Sequence, residues 1–199
     1  MKRKFSLIFL CALLAFAAQA HALLITPSTG SLNLDPDYLN ESRWEGTTGP
    51  GQPQIDASIE PILNAYGTTL PELYKKNNDG TEAGSLAASY ATTFSGDVGD
   101  FSGAAITYVG GPYVGPNAFL LVKDGASDPV WYLFYLTGLG WNGTDTLELS
   151  GFWAGVTGSI SHVSLYGDPG NPVPEPVSML LFGTGLLGVG GYVRRRFKK

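Results

Sequence analysis

Imidazole chemistry is scarce in this chain, which holds only two histidines, His21 and His162. His21 lies beside small alanines near the start. His162 falls inside a run that reads as a strand, where a structural histidine is expected. A serine triad needs an oriented imidazole on an open site. No Gly-x-Ser-x-Gly elbow occurs, since Gly30-Ser31 and Gly84-Ser85 lack the flanking pattern. Glycoside hydrolysis would need two carboxylates converging at about 5–10 Å in a cleft, and order along a chain does not show convergence. An enzyme is therefore not the expectation, and no cofactor is implied.

Oxygen ligands offer a second chemistry. Lys75 to Glu82 faintly resembles a calcium loop, with Asn78, Asp79 and Glu82 as donors. An EF-hand wants acidic residues at its first and twelfth positions. Here those are Lys75 and Leu86. A plain turn is the expectation, and no metal site is assigned. Aromatic stacking is the third chemistry. The chain has 10 Phe, 10 Tyr and 4 Trp, and Tyr113, Trp141 and Trp153 lie near expected turns. There they are candidates for a glycan-stacking platform, although rings of this kind also supply most of the packing in a small β domain. Asn40-Glu41-Ser42 and Asn142-Gly143-Thr144 match a glycosylation acceptor pattern, a match too short to carry weight by itself.

Charge divides the chain into three. Residues 21–172 carry only Arg43, Lys75, Lys76 and Lys123 against 16 carboxylates, a net charge of −12. Such a region repels nucleic acid and anionic lipid. The remaining basic residues cluster at the two ends. Lys2, Arg3 and Lys4 precede an apolar run, Phe5 to Ala17, too short to span a bilayer comfortably. Ala18-Gln19-Ala20 and Ala20-His21-Ala22 are both small-x-small cleavage patterns, so residues 1–22 read as a signal peptide for the export machinery and signal peptidase. Cleavage after Ala20 or after Ala22 fits equally. The single cysteine, Cys11, lies inside this peptide. The mature chain would have no thiol, hence no disulfide or thiolate site.

At the other end, residues 169–176 form a proline-rich linker that cannot be a helix interior or a central strand. Residues 177–193 carry no charge. As a helix at ~1.5 Å per residue they span about 26 Å, close to the ~30 Å hydrocarbon core. Arg194, Arg195, Arg196, Lys198 and Lys199 follow in the basic tail 194–199 and prefer the cytoplasmic side. Gly183-Thr184-Gly185-Leu186-Leu187-Gly188 spells a dinucleotide fingerprint, but neither a preceding strand nor a downstream acidic residue accompanies it.

Val173-Pro174-Glu175-Pro176, the uncharged segment and the basic end together resemble the PEP-CTERM sorting signal. The resemblance implies that exosortase is a partner, that the chain is cut near Pro174-Glu175-Pro176, and that a membrane-anchored precursor becomes a cell-surface or matrix protein. It also implies a Gram-negative bacterium that makes extracellular polysaccharide. Trp131-Tyr132-Leu133-Phe134, Trp141-Asn142-Gly143, Ser150-Gly151-Phe152-Trp153 and Ile160-Ser161-His162-Val163-Ser164 resemble ectodomains found with that signal. This second resemblance implies a structural role without catalytic residues. The expected function is a non-enzymatic exopolysaccharide or biofilm matrix protein. The alternative is a carbohydrate-binding module of the same matrix, with or without calcium.

The elements that must position these groups lie in residues 23–168. Leu23-Leu24-Ile25 suggests a first short strand. Ile59, Ile62, Leu63 and Tyr66 mark one face of a helix over 56–66, with Pro61 in its first turn. A second helical turn is expected from Pro71 to Lys76, with Leu70, Leu73 and Tyr74 inward. Strands are expected at 86–94, 105–109, 118–123, 130–137, 146–149 and 159–166. The hairpin 118–137 contains Trp131 to Leu136, continuously apolar and so a central strand covered on both faces. Asn142-Gly143 signals a tight turn. The expected fold is mainly β, a sandwich of about six to eight antiparallel strands with one or two short helices, plus a C-terminal transmembrane helix in the precursor.

Overall fold

The computed structural model describes residues 21–32, 42–47, 52–67, 71–124, 127–156 and 158–171. Among them the chain is mainly β, with several sheets and one helix. The strands are β1 (Ala22–Ile25), β2 (Arg43–Gly46), β3 (Glu72–Asn77), β4 (Glu82–Ala83), β5 (Tyr90–Asp97), β6 (Asp100–Tyr108), β7 (Tyr113–Val114), β8 (Phe119–Lys123), β9 (Trp131–Tyr135), β10 (Thr146–Leu149), β11 (His162–Tyr166) and β12 (Pro169–Gly170). The helix α1 spans Gln52–Ala65. A four-stranded sheet runs β1-β10-β6-β5, a six-stranded sheet runs β2-β9-β8-β11-β3-β4, and β12 pairs with β7 as a small ribbon. Most pairs are antiparallel, but β1 joins β10 in parallel.

The hairpin β8–β9 sits inside the larger sheet with Leu121 opposite Leu133. Alternation sends successive side chains to opposite faces. Leu120, Val122, Tyr132 and Phe134 enter one core with Ile106, Leu147 and Leu149 from the smaller sheet. Phe119, Leu121, Trp131 and Leu133 enter a second core with Trp44 and with Ile55, Ile59, Ile62 and Leu63 of α1. The order of layers is therefore small sheet, large sheet, helix. The sequence-based expectation of a strand covered on both faces is met for this reason.

Three local expectations need correction. The helix begins at Gln52, four residues earlier than its expected start, so Pro61 is interior to it. Ile55 extends the buried stripe one turn back, and Pro53 is tolerated because first-turn amides have no partner within the helix. Glu72–Asn77 is strand β3, not the helical turn expected from Pro71 to Lys76. Leu165 pairs with Tyr74 while Tyr166 pairs with Glu72, so Leu73 is the extra residue of a bulge. The bulge sends the neighbours Leu73 and Tyr74 into the same core, which imitates helical spacing. Residues 87–89 form a single 3-10 turn before β5 begins.

Asn142-Gly143 does turn the chain, but β10 does not return along β9. It joins β1 and β6 in the other sheet. Asn142 Oδ1 accepts from the amides of Thr144 and Asp145, both at 2.9 Å, which makes the turn a crossover between layers. Tyr90 anchors it. Its hydroxyl donates to the Gly143 carbonyl at 2.7 Å and accepts from the Val114 amide at 2.8 Å. Burial raises the Tyr90 pKa far above its usual value, so the phenol stays protonated.

His162 lies between Lys123 of β8 and Asn77 of β3 in one cross-strand row. It is 5% exposed, and its Nε2 has no hydrogen-bond partner among the described residues. Burial first, then the positive charges of Lys75 and Lys123, push its pKa down to about 3 from 6.5. The imidazole is neutral in the folded protein and accepts a proton readily only on unfolding.

Two predictions come from this packing. Tyr90→Phe leaves a buried amide and a buried carbonyl without their partner and should cost about 1–3 kcal/mol, read from denaturant midpoints at constant slope. For His162 the folded pKa lies below the unfolded one, so its contribution is full above pH 6.5 and is lost as pH falls towards about 3. The stability–pH curve of the wild type should therefore fall more steeply in that window than that of His162→Gln, by close to one proton. Parallel curves would refute the assignment.

Candidate functional site

The three aromatic residues expected near turns take up packing positions. Trp141, after β9, is 5% exposed, and its indole N–H donates to the Asp145 carbonyl at 2.8 Å. Trp153 is also 5% exposed. Its N–H donates to the Pro129 carbonyl at 2.8 Å, and its ring lies 5.4 Å from Tyr132. Tyr113, in β7, is half-buried, with its ring against the backbone of Gly143 and Gly170. A Cβ on Gly143 would approach that ring to 2.4 Å. A sugar platform needs open ring faces, whereas these rings are spent on the core, so they form no exposed coplanar row.

Asn78 and Asp79 occupy the hairpin turn between β3 and β4, and Glu82 begins β4, but each has its own partner. Asp79 Oδ1 accepts from the Thr81 hydroxyl at 2.7 Å and from the Thr81 amide at 2.8 Å. The Thr81 hydroxyl, then its amide, hold the Asp79 carboxyl below the usual range. Glu82 pairs with Lys76 at 2.9 Å. Asn78 donates to the Ile160 carbonyl at 3.2 Å. Among the described residues no three of His, Cys, Asp and Glu come together closely enough to share a metal ion. The segment is an Asx-type turn closed by an ion pair.

A concave surface does exist at the tip of β5–β6. Asp97 pairs with Asp100 across the two-residue turn Val98-Gly99. A hollow of ≈ 290 Å³ lies beside it, lined by Asp97, Asp100, Ser102 and Trp153 among others. An adjoining hollow of ≈ 760 Å³ shares Asp100 and adds Asp124, Ser127 and Ser159. The long β5–β6 hairpin and the turns after β8 and β10 bring these groups together. Such a wall accepts and donates hydrogen bonds to hydroxyl-rich or hydrated molecules. Among the described residues no histidine, lysine or arginine lines it. Sequence reading missed this surface because its carboxylates come from positions far apart in the chain. The only signal was the Asp-Val-Gly-Asp turn.

Trp153 shapes the floor of the smaller hollow. Its backbone takes the left-handed conformation, φ 52, which is uncommon for a bulky side chain. Its indole N–H reaches the Pro129 carbonyl, and Ala154 and Gly155 line the hollow beside it.

Of the processing residues, Ala22 begins β1. Ala18, Ala20, the motif Val173, Pro174, Glu175 and Pro176, and the basic residues Arg194, Arg195, Arg196, Lys198 and Lys199 lie outside the described residues, as does the expected membrane segment. Among the described residues no helix is long and apolar enough to cross a membrane. The last paired element before the motif is β12, whose Gly170 sits opposite Tyr113.

Comparison with known proteins supplies one match. The family model for the PEP-CTERM protein-sorting motif matches residues 172–196. No curated protein matches the chain. No solved structure matches it either. The matched residues are those whose proline-rich, uncharged and basic order marked them as a sorting signal. The chain carries a PEP-CTERM protein-sorting motif after its β domain, and that motif supports sorting through the exosortase system.

Proposed function

We propose that this chain is a non-enzymatic surface or matrix protein, exported behind a signal peptide, cut by exosortase at its PEP motif, and retained in or near extracellular polysaccharide. The observation that carries the reading is the sorting motif at residues 172–196, which begins two residues after β12 ends. The folded domain therefore reaches almost to the processing region, and that domain is what processing would deliver.

The character of the domain supports a structural role. His162 is buried and neutral and lines neither hollow at the β5–β6 tip. The net charge of −12 across residues 21–172 favours solubility and disfavours nucleic acid as a partner. A carbohydrate-binding role is the second reading. It is favoured by the carboxylates and hydroxyls of Asp97, Asp100, Ser102, Ser127 and Ser159 around the two hollows. Those groups match sugar hydroxyls by hydrogen bonding rather than by ring stacking.

Replacing Pro174, Glu175 and Pro176 together by alanine should leave an uncut, membrane-held precursor in a host that has exosortase. Fractionation and intact mass check this outcome. Normal maturation of that variant would refute the sorting reading.

A further inference from the structure

Two small-x-small patterns, ending at Ala20 and at Ala22, offer alternative sites for removal of the leader. We infer that the leader is cut between Ala20 and His21, an assignment that rests on the export reading above. The step is a hydrolysis. One water is consumed, the Ala20–His21 peptide bond breaks, Ala20 keeps a carboxylate, and His21 gains the new ammonium.

The geometry of β1 separates the two sites. The His21 carbonyl accepts a hydrogen bond from the Thr146 amide at 3.1 Å. Ala22, Leu23, Leu24 and Ile25 then pair in register with Thr146, Leu147, Glu148 and Leu149. The ladder closes where the Ser150 amide donates to the Ile25 carbonyl at 3.0 Å. Among the described residues His21 is therefore the first whose backbone joins this ladder. Ile25 is fully buried, and Leu23 packs against the same core.

A cut after Ala22 would delete the acceptor of the Thr146 amide. It would also place a charged ammonium on Leu23, inside the ladder and beside apolar side chains, where an unpaired charge is costly. A cut after Ala20 keeps every described acceptor of the ladder and leaves the ammonium at the mouth of the strand, on an exposed residue. The side chains of His21 and Ala22 are both exposed. The core therefore makes no demand on their size, and the bonds of this stretch are backbone bonds.

The test is intact mass and N-terminal sequencing of the full chain processed in an export-competent bacterial host. His21 as the first residue is the expected result. Leu23 as the first residue would overturn this assignment while sparing export, whereas a chain still beginning at Met1 would overturn both. Two variants sharpen the reading. Ala22→Asp changes the residue before the second site, so its product should still begin at His21. A blocked or displaced cut in that variant would count against the proposal. Ala18→Asp alters only the Ala20 pattern and should slow processing at least tenfold in a pulse-chase. An unchanged rate with a Leu23 start would overturn the assignment.

Discussion

Two-sided burial of the β8–β9 hairpin is the constraint on which the domain depends. One face meets the smaller sheet through Leu120, Val122, Tyr132 and Phe134, and the other meets α1 through Phe119, Leu121 and Leu133. Each such side chain stabilises by about 1.5–3 kcal/mol when taken from water. The only cysteine is Cys11, so no disulfide holds these layers together and packing must do so. The aromatic residues follow from that requirement. Phe119, Phe134 and Phe152 are fully buried, and Tyr66, Phe119 and Tyr135 meet within 5.2 Å of one another.

The same packing decides what is left for function. Trp141 and Trp153 each have one polar atom, and each directs it to a backbone carbonyl inside the domain. Their rings are committed, which leaves the open surface at the β5–β6 tip to carboxylates, hydroxyls and glycines. Recognition at such a surface relies on hydrogen bonding and charge, both of which compete with water. His162 is polar but buried in the larger sheet between Lys123 and Asn77, so it offers no open base.

Both ends of the domain are tied by backbone hydrogen bonds near the points where processing is proposed. The His21 carbonyl and β1 dock on β10 at one end, and β12 docks on β7 at the other. The described members of both cores lie between those ties. Removing the segments outside those ties would take away eight of the 12 basic residues, turning a chain with basic ends into a domain of net charge −12 that keeps four cations.

The sorting tail was legible from residue order because its information is linear: a proline motif, an uncharged run and a basic end are read in sequence. The doubly covered strand was legible too, since an unbroken apolar run such as Trp131 to Leu136 has no solvent face. Leu73 and Tyr74 were misread because a bulge, formed only against β11, puts adjacent residues on one side. The destination of β10 after Asn142-Gly143, the parallel docking of β1, and the meeting of Asp97, Asp100 and Asp124 around one surface were set by tertiary structure alone. Such pairings join residues far apart in the chain, and local propensity carries no record of which distant strand will offer the matching edge.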